Sequence, residues 1–153
     1  MKIVDILPET AVVADLRGGS KIDVLQELGT VLAEHHRVIS REQLVEVLLE
    51  REKLGSTAIG EGIAIPHGKL PKLTNVVAAF GRSRSGVDFN SLDGGTTHLF
   101  FLLVAPEDSS GAHLKALARV SRLLRDKAFR ERLLQVGDGK ELYQIIREED
   151  EKY

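Results

Sequence analysis

The chain has no cysteine. Disulfides, thiolate metal sites and cysteine nucleophiles are therefore all excluded, and cysteine usage says nothing about redox compartment. It also has no surplus of one charge. Lys plus Arg is 21 and Asp plus Glu is 23, a formal net charge of −2. A dedicated nucleic-acid binder is usually strongly basic, so no nucleic-acid partner is expected. Long hydrophobic runs are missing too. The longest, Leu99 to Ala105, is far too short to span a bilayer, and MKIVDILPET lacks the apolar core of a secretion signal. The expectation is a cytoplasmic protein with no membrane insertion. No repeat, linker or low-complexity stretch breaks the chain, and 153 residues are enough to bury one core. Residues 1–153 read as one domain.

Helix starts are legible. Ser20-x-x-Asp23 precedes Ile22, Leu25, Leu28 and Leu32 at helical spacing, and Ser40-x-x-Gln43 precedes Leu44, Val47, Leu48 and Arg51. A third helix begins near Ala112 with Leu114, Leu117, Val120, Leu123 and Leu124 on one side. Asp126 restarts it ahead of Phe129, Leu133 and Leu134, and Asp138-x-x-Glu141 opens a last helix with Leu142, Ile145 and Ile146. Strand candidates are Ile63–Ile65, ended by Pro66, then Val76–Phe80, and Leu99–Val104, which reads as a central strand buried on both faces. Ala11–Ala14 suits an edge strand. The stretch from Phe80 to Leu99 reads as turn-rich connection with Asp93-Gly94-Gly95 at its tip, and Glu148–Lys152 as a solvated charged tail. The fold class is α/β, a mixed β-sheet flanked by helices on both faces.

The segment with chemical character is EREKLGSTAIGEGIAIPHGKL, Glu50 to Leu70. Four glycines between Gly55 and Gly68 let backbone approach a ligand closely, and the N–H groups around Ser56 and Thr57 suit an anion. A ligand-free glycine-rich connection has the same composition. Gly62 to Lys69 is not a phosphate loop: five residues separate the glycines, and Leu70 stands where a magnesium-binding hydroxyl belongs. In Pro66-His67-Gly68, proline sets a stiff mount and glycine leaves space beside the imidazole. Neutral imidazole is a good nucleophile near neutral pH. His113 follows Ser109-Ser110-Gly111 at a helix start, where anions are favoured, and Arg51 offers a fork for phosphate oxygens. Each of the three has a plain structural reading as well: a turn histidine, a helix-start histidine, a cation at a helix C-terminus. His35 and His36 are adjacent and cannot form a metal pair, His98 falls in a turn, and neither HExxH nor GxSxG occurs. No metal and no cofactor is expected.

Arg51 to Leu70 resembles the active-site block of the IIA components of the bacterial phosphoenolpyruvate-dependent phosphotransferase system, fructose/mannitol class. The opening residues, HLFFLLVAPEDSSGAHL and the ending ELYQII are similar as well, so the resemblance covers nearly the whole chain. The free-standing length resembles the nitrogen-regulatory branch. The resemblance implies the type-2 IIA fold and a phosphotransferase component with a transient phosphohistidine. His67 would accept the phosphoryl group from an HPr-like donor, with His113 and Arg51 as the other active-site residues. Ser56, Thr57 and Gly68 would supply phosphoryl-binding backbone. The partners implied are that donor and either regulated target proteins or, for a sugar-transport subunit, a IIB domain.

Overall fold

The computed structural model describes residues 1–153. Four of its five helices begin at the capping side chains the sequence offers. Ser20 Oγ accepts from the Asp23 N–H (3.1 Å) at α1, Lys21–His35, and Ser40 Oγ from the Gln43 N–H (3.3 Å) at α2, Arg41–Lys53. Asp126 caps α4, Lys127–Gln135, through the Phe129 N–H (3.1 Å), and Asp138 caps α5, Gly139–Asp150, through the Glu141 N–H (2.8 Å). Each such bond satisfies an otherwise orphaned first-turn donor. The exception is α3, Ser110–Leu124: the Ser109 hydroxyl donates to the Pro106 carbonyl instead, and no side chain caps the helix.

The sheet is mixed. Its strands are β1 (Val12–Val13), β2 (Ala58–Gly60), β3 (Ile63–Ala64), β4 (His67–Leu70), β5 (Val77–Val87) and β6 (Thr97–Pro106). They run in the order β1-β5-β6-β3-β2, with β4 also on β6. β5 and β6 are antiparallel, whereas β3 and β4 both lie parallel to β6. Every residue of β6 from Leu99 to Pro106 is buried. Successive strand side chains point to opposite faces, so both faces of the sheet are covered there. α1 and α2 pack on each other and on β5 and β4, while α3 packs on β6.

Several expectations change. Ile22, Leu114 and Leu134 fit the helical spacing yet are largely exposed, because the buried faces centre on Val24–Leu25–Leu28, on His113–Ala116–Val120 and on Phe129–Leu133. β5 continues to Val87, through Gly81-Arg82-Ser83-Arg84, which reads as a turn. The buried Arg82 guanidinium holds it there, donating to the carbonyls of Ala14, Leu133, Val136 and Gly137 and so capping the end of α4. His98 lies inside β6 rather than in the turn before it, its Nδ1 2.9 Å from the Ser83 carbonyl oxygen.

The charged tail is solvated only in part: Glu148, Glu151 and Lys152 are exposed. α5 runs to Asp150, and Glu149 and Asp150 are buried. Asp150 accepts from Arg119 Nε on α3 (2.8 Å) and from the Val4 N–H (3.2 Å), which stitches the two ends of the chain to α3. Charge density alone does not reveal a carboxylate whose partner lies thirty residues away. A buried carboxylate left without its cation is strongly penalised. Arg119→Ala is therefore expected to lower unfolding stability by about 3 kcal/mol in a urea titration. A change within about 0.5 kcal/mol, normal for an exposed position, would mean that Asp150 is solvated after all.

Candidate active site

The site begins with a close approach of helix to strand. Gly68 on β4 has no room for a side chain: a Cβ there would stand 2.7 Å from Val47 Cγ1 of α2. One helical turn beyond Val47, on the same face, is Arg51. Its Nε–H donates to His67 Nε2 at 3.3 Å, and its Nη1–H donates to the Gly55 carbonyl at 2.9 Å.

His67 stands where the line from β3 to β4 is interrupted. The Ile65 N–H turns aside to the Thr57 carbonyl (3.1 Å), and the Pro66 carbonyl accepts from the Leu103 N–H of β6 (3.0 Å). The break leaves the Ile65 carbonyl 2.8 Å from His67 Nδ1. A carbonyl can only accept, so Nδ1 carries the ring proton and Nε2 keeps its lone pair. That lone pair is where Arg51 donates. The His113 ring crosses that of His67 nearly edge-on, with centroids 5.4 Å apart, and its buried Nδ1 has no hydrogen-bond partner. A cavity of about 440 Å³ opens over the group, lined by Arg51, His67, Gly68, Lys69, Ser110, His113, Leu114 and Leu117.

Both histidines are held neutral. Burial is the main cause lowering the His67 pKa. Arg51 lowers it further, while the bond to Ile65 and the charge of Glu52 oppose the shift. His113 is lowered by burial first, then by His67 and Lys69. A neutral imidazole with its lone pair aimed at a cation-lined cavity can attack an electrophilic phosphorus.

Of the residues singled out in the sequence, His67, His113, Arg51 and Gly68 come together. Ser56 and Thr57 do not line the cavity. The Thr57 N–H and Oγ1–H both donate to Glu52, and the Ser56 hydroxyl donates to the Phe89 carbonyl. These groups fasten the loop instead of facing an anion. The sequence reading missed Lys69, whose Nζ lies 3.2 Å from Ser110 Oγ. Strand alternation places Lys69 on the side of His67, but only once the short, glycine-containing β4 is known to be a strand. Glu52 was missed as well. Next to Arg51 in a polar helix, nothing local marks it as buried.

A helix-covered mixed sheet carrying a paired histidine–arginine centre at its strand ends defines the class, and comparison with known proteins gives the family. Residues 5–149 match the family model described as "Phosphoenolpyruvate-dependent sugar phosphotransferase system, EIIA 2", and the chain belongs to that family. A nitrogen regulatory protein of Bradyrhizobium diazoefficiens is 45% identical over 146 residues, covering 95% of each chain. The fructose-specific EIIABC component of Bacillus subtilis is 39% identical over 150 residues, 98% of this chain but 24% of that protein. The crystal structure of the nitrogen regulatory protein IIA-Ntr from Neisseria meningitidis superposes with a TM-score of 0.87 at 37% identity, over 94% of this chain and 98% of that one. The mannitol IIA of Escherichia coli shares the fold, with a TM-score of 0.75 at 23% identity over 90% of this chain and 96% of that one.

The electrostatics fix the sign of a titration. Burial and the Arg51 cation both disfavour the imidazolium, so His67 should titrate below the ordinary histidine range. Removing the cation relieves part of this. Nitrogen-detected NMR should show the His67 midpoint depressed in the wild type and raised in Arg51→Ala. A wild-type midpoint at or above the usual ~6.5 would contradict the geometry.

Proposed function

We propose that this chain is a phosphocarrier with a regulatory output. His67 Nε2 takes a phosphoryl group from the phosphohistidine of a small HPr-like donor, and target proteins distinguish the two forms. The observation that carries this reading is the His67 ring itself: its proton is held on Nδ1 by the Ile65 carbonyl, and its free lone pair meets Arg51 at a cationic cavity.

In the transfer the donor's N–P bond breaks as the Nε2–P bond forms. The electron pair of the broken bond stays on the donor's ring nitrogen, and the His67 proton remains on Nδ1, donated to the Ile65 carbonyl. Nothing is oxidised or reduced. Such transfers depend on positioning and charge stabilisation. Arg51 gives up its bond to Nε2 as that lone pair is used and turns its N–H groups to the phosphoryl oxygens. Lys69 and His113 flank the same space, and the backbone of Gly68 lets the group approach. Two exposed leucines, Leu114 at the cavity and Leu54 three residues past Arg51, offer an apolar rim for a partner. The new charge on that rim admits one partner and repels another. The match to a nitrogen regulatory protein over 95% of each chain supports the regulatory output, and we place its action in the cytoplasm. Residues 1–153 act as one unit.

A second reading is favoured by the fructose-specific relative, which is nearly as similar. In it, phospho-His67 passes its group to a IIB domain for sugar transport. Transfer to a purified IIB domain separates the two.

The test is phosphate transfer from an enzyme I and HPr-type donor charged with phosphoenolpyruvate, followed by intact mass. Wild type should gain one phosphoryl group and His67→Ala none. Arg51→Ala should slow the transfer by about 10²–10³-fold, and Lys69→Ala by less. A His67→Ala protein that is stably labelled elsewhere would overturn the assignment.

A further inference from the structure

Glu52 and Thr57 sit behind the cavity, 8% and 4% exposed. A carboxylate buried to that degree is costly unless several donors meet it. Here both oxygens are occupied. Oε1 accepts from Lys21 Nζ (3.2 Å) and from the Thr57 N–H (3.2 Å), and Oε2 accepts from Thr57 Oγ1–H. The pair closes a turn of four residues, Lys53 to Ser56. Within that turn the Gly55 N–H donates to the Glu52 carbonyl (3.1 Å), and Gly55 has φ +145°, which disfavours any side chain.

Two chains of hydrogen bonds leave this clamp, and both end on the reacting pair. On one side the turn presents the Gly55 carbonyl to Arg51 Nη1–H, which leaves Nε–H directed at His67. On the other, the Thr57 carbonyl accepts the Ile65 N–H, and the Ile65 carbonyl accepts His67 Nδ1–H. The Glu52 side chain hydrogen-bonds to Lys21 and Thr57 and to no residue lining the cavity, yet moving Thr57 shifts the anchors of both Arg51 and His67.

We infer that Glu52 is a positioning residue that acts through Thr57, setting the Arg51 guanidinium and the His67 tautomer together before a phosphoryl group arrives. The inference rests on the phosphocarrier reading for its kinetic consequence only. Thr57 is then a lever of the loop and not a phosphoryl ligand. Acidity at Glu52 is required because one group must accept from an ammonium, an amide and a hydroxyl at once. A neutral amide presents one oxygen, can only donate to the Thr57 hydroxyl so that its O–H loses its acceptor, and leaves the Lys21 charge unpaired.

The test compares Glu52→Gln, Thr57→Val and Thr57→Ser. The readouts are long-range proton–nitrogen NMR of the His67 ring and the rate of phosphoryl acceptance. Wild type should show a single Nδ1–H tautomer. Glu52→Gln and Thr57→Val should show mixed tautomers and accept the group about 10- to 100-fold more slowly, still on His67. Thr57→Ser keeps the hydroxyl and should restore both readouts. The double change Lys21→Met with Glu52→Gln removes the buried pair without stranding the ammonium, and it carries the test if Glu52→Gln does not fold. Folded variants with one tautomer and the wild-type rate would overturn the inference. The tautomer measurement needs no donor, so a wild type that accepts no phosphoryl group would sink the phosphocarrier reading and leave the clamp to be judged by the ring spectrum.

Discussion

The site depends on one close contact, the seating of α2 on β4 at Gly68. A Cβ at that position would collide with Val47, so glycine lets the helix come down onto the strand. The depth of that seating decides whether Arg51, a turn further along, reaches the ring of His67. An interior packed to crystal-like density transmits such a shift with little loss. A clash at Gly68 would therefore be felt as a displaced guanidinium.

From that contact follows a ground state already arranged for transfer. The ring proton is held on Nδ1 by a backbone carbonyl, burial keeps the imidazole neutral, and a guanidinium waits on the nucleophilic lone pair. The arrangement is self-limiting, because the group that will stabilise the phosphoryl oxygens also covers the nitrogen that must attack. Arg51 has to change partner during the reaction, and the carbonyl holding its other arm belongs to the loop that carries Leu54 and Ser56. The bare and phosphorylated forms thus differ in which groups hold Arg51, close to the surface where a partner would read the state.

Much of this was open to reading in the sequence, and the limits have physical reasons. Helix caps are local, so Ser20, Ser40, Asp126 and Asp138 mark their helices within one turn. β6 is an unbroken apolar run and stands out. β4 and the second half of β5 are hidden because their strand character comes from partners: His67–Leu70 pairs with Leu103–Pro106, and Gly81–Arg82 is held by β6 and by carbonyls at the end of α4. His67, His113 and Arg51 were legible from residue type and a long, specific motif. Glu52, Lys69 and the buried Asp150 were not, since a charged residue reads as solvated until its distant partner is known. Thr57 was singled out for its neighbourhood, but its polar groups face inward.

The central claim is that His67 presents Nε2, not Nδ1, to the incoming phosphorus. The most direct measurement is the phosphohistidine isomer in the fully phosphorylated protein, read from phosphorus–nitrogen coupling in the ring of His67. The expected result is phosphorus on Nε2 with the proton still on Nδ1. Phosphorus on Nδ1, or on His113, would contradict the account, because it would require the bond to Ile65 to be broken or the roles of the two rings to be reversed.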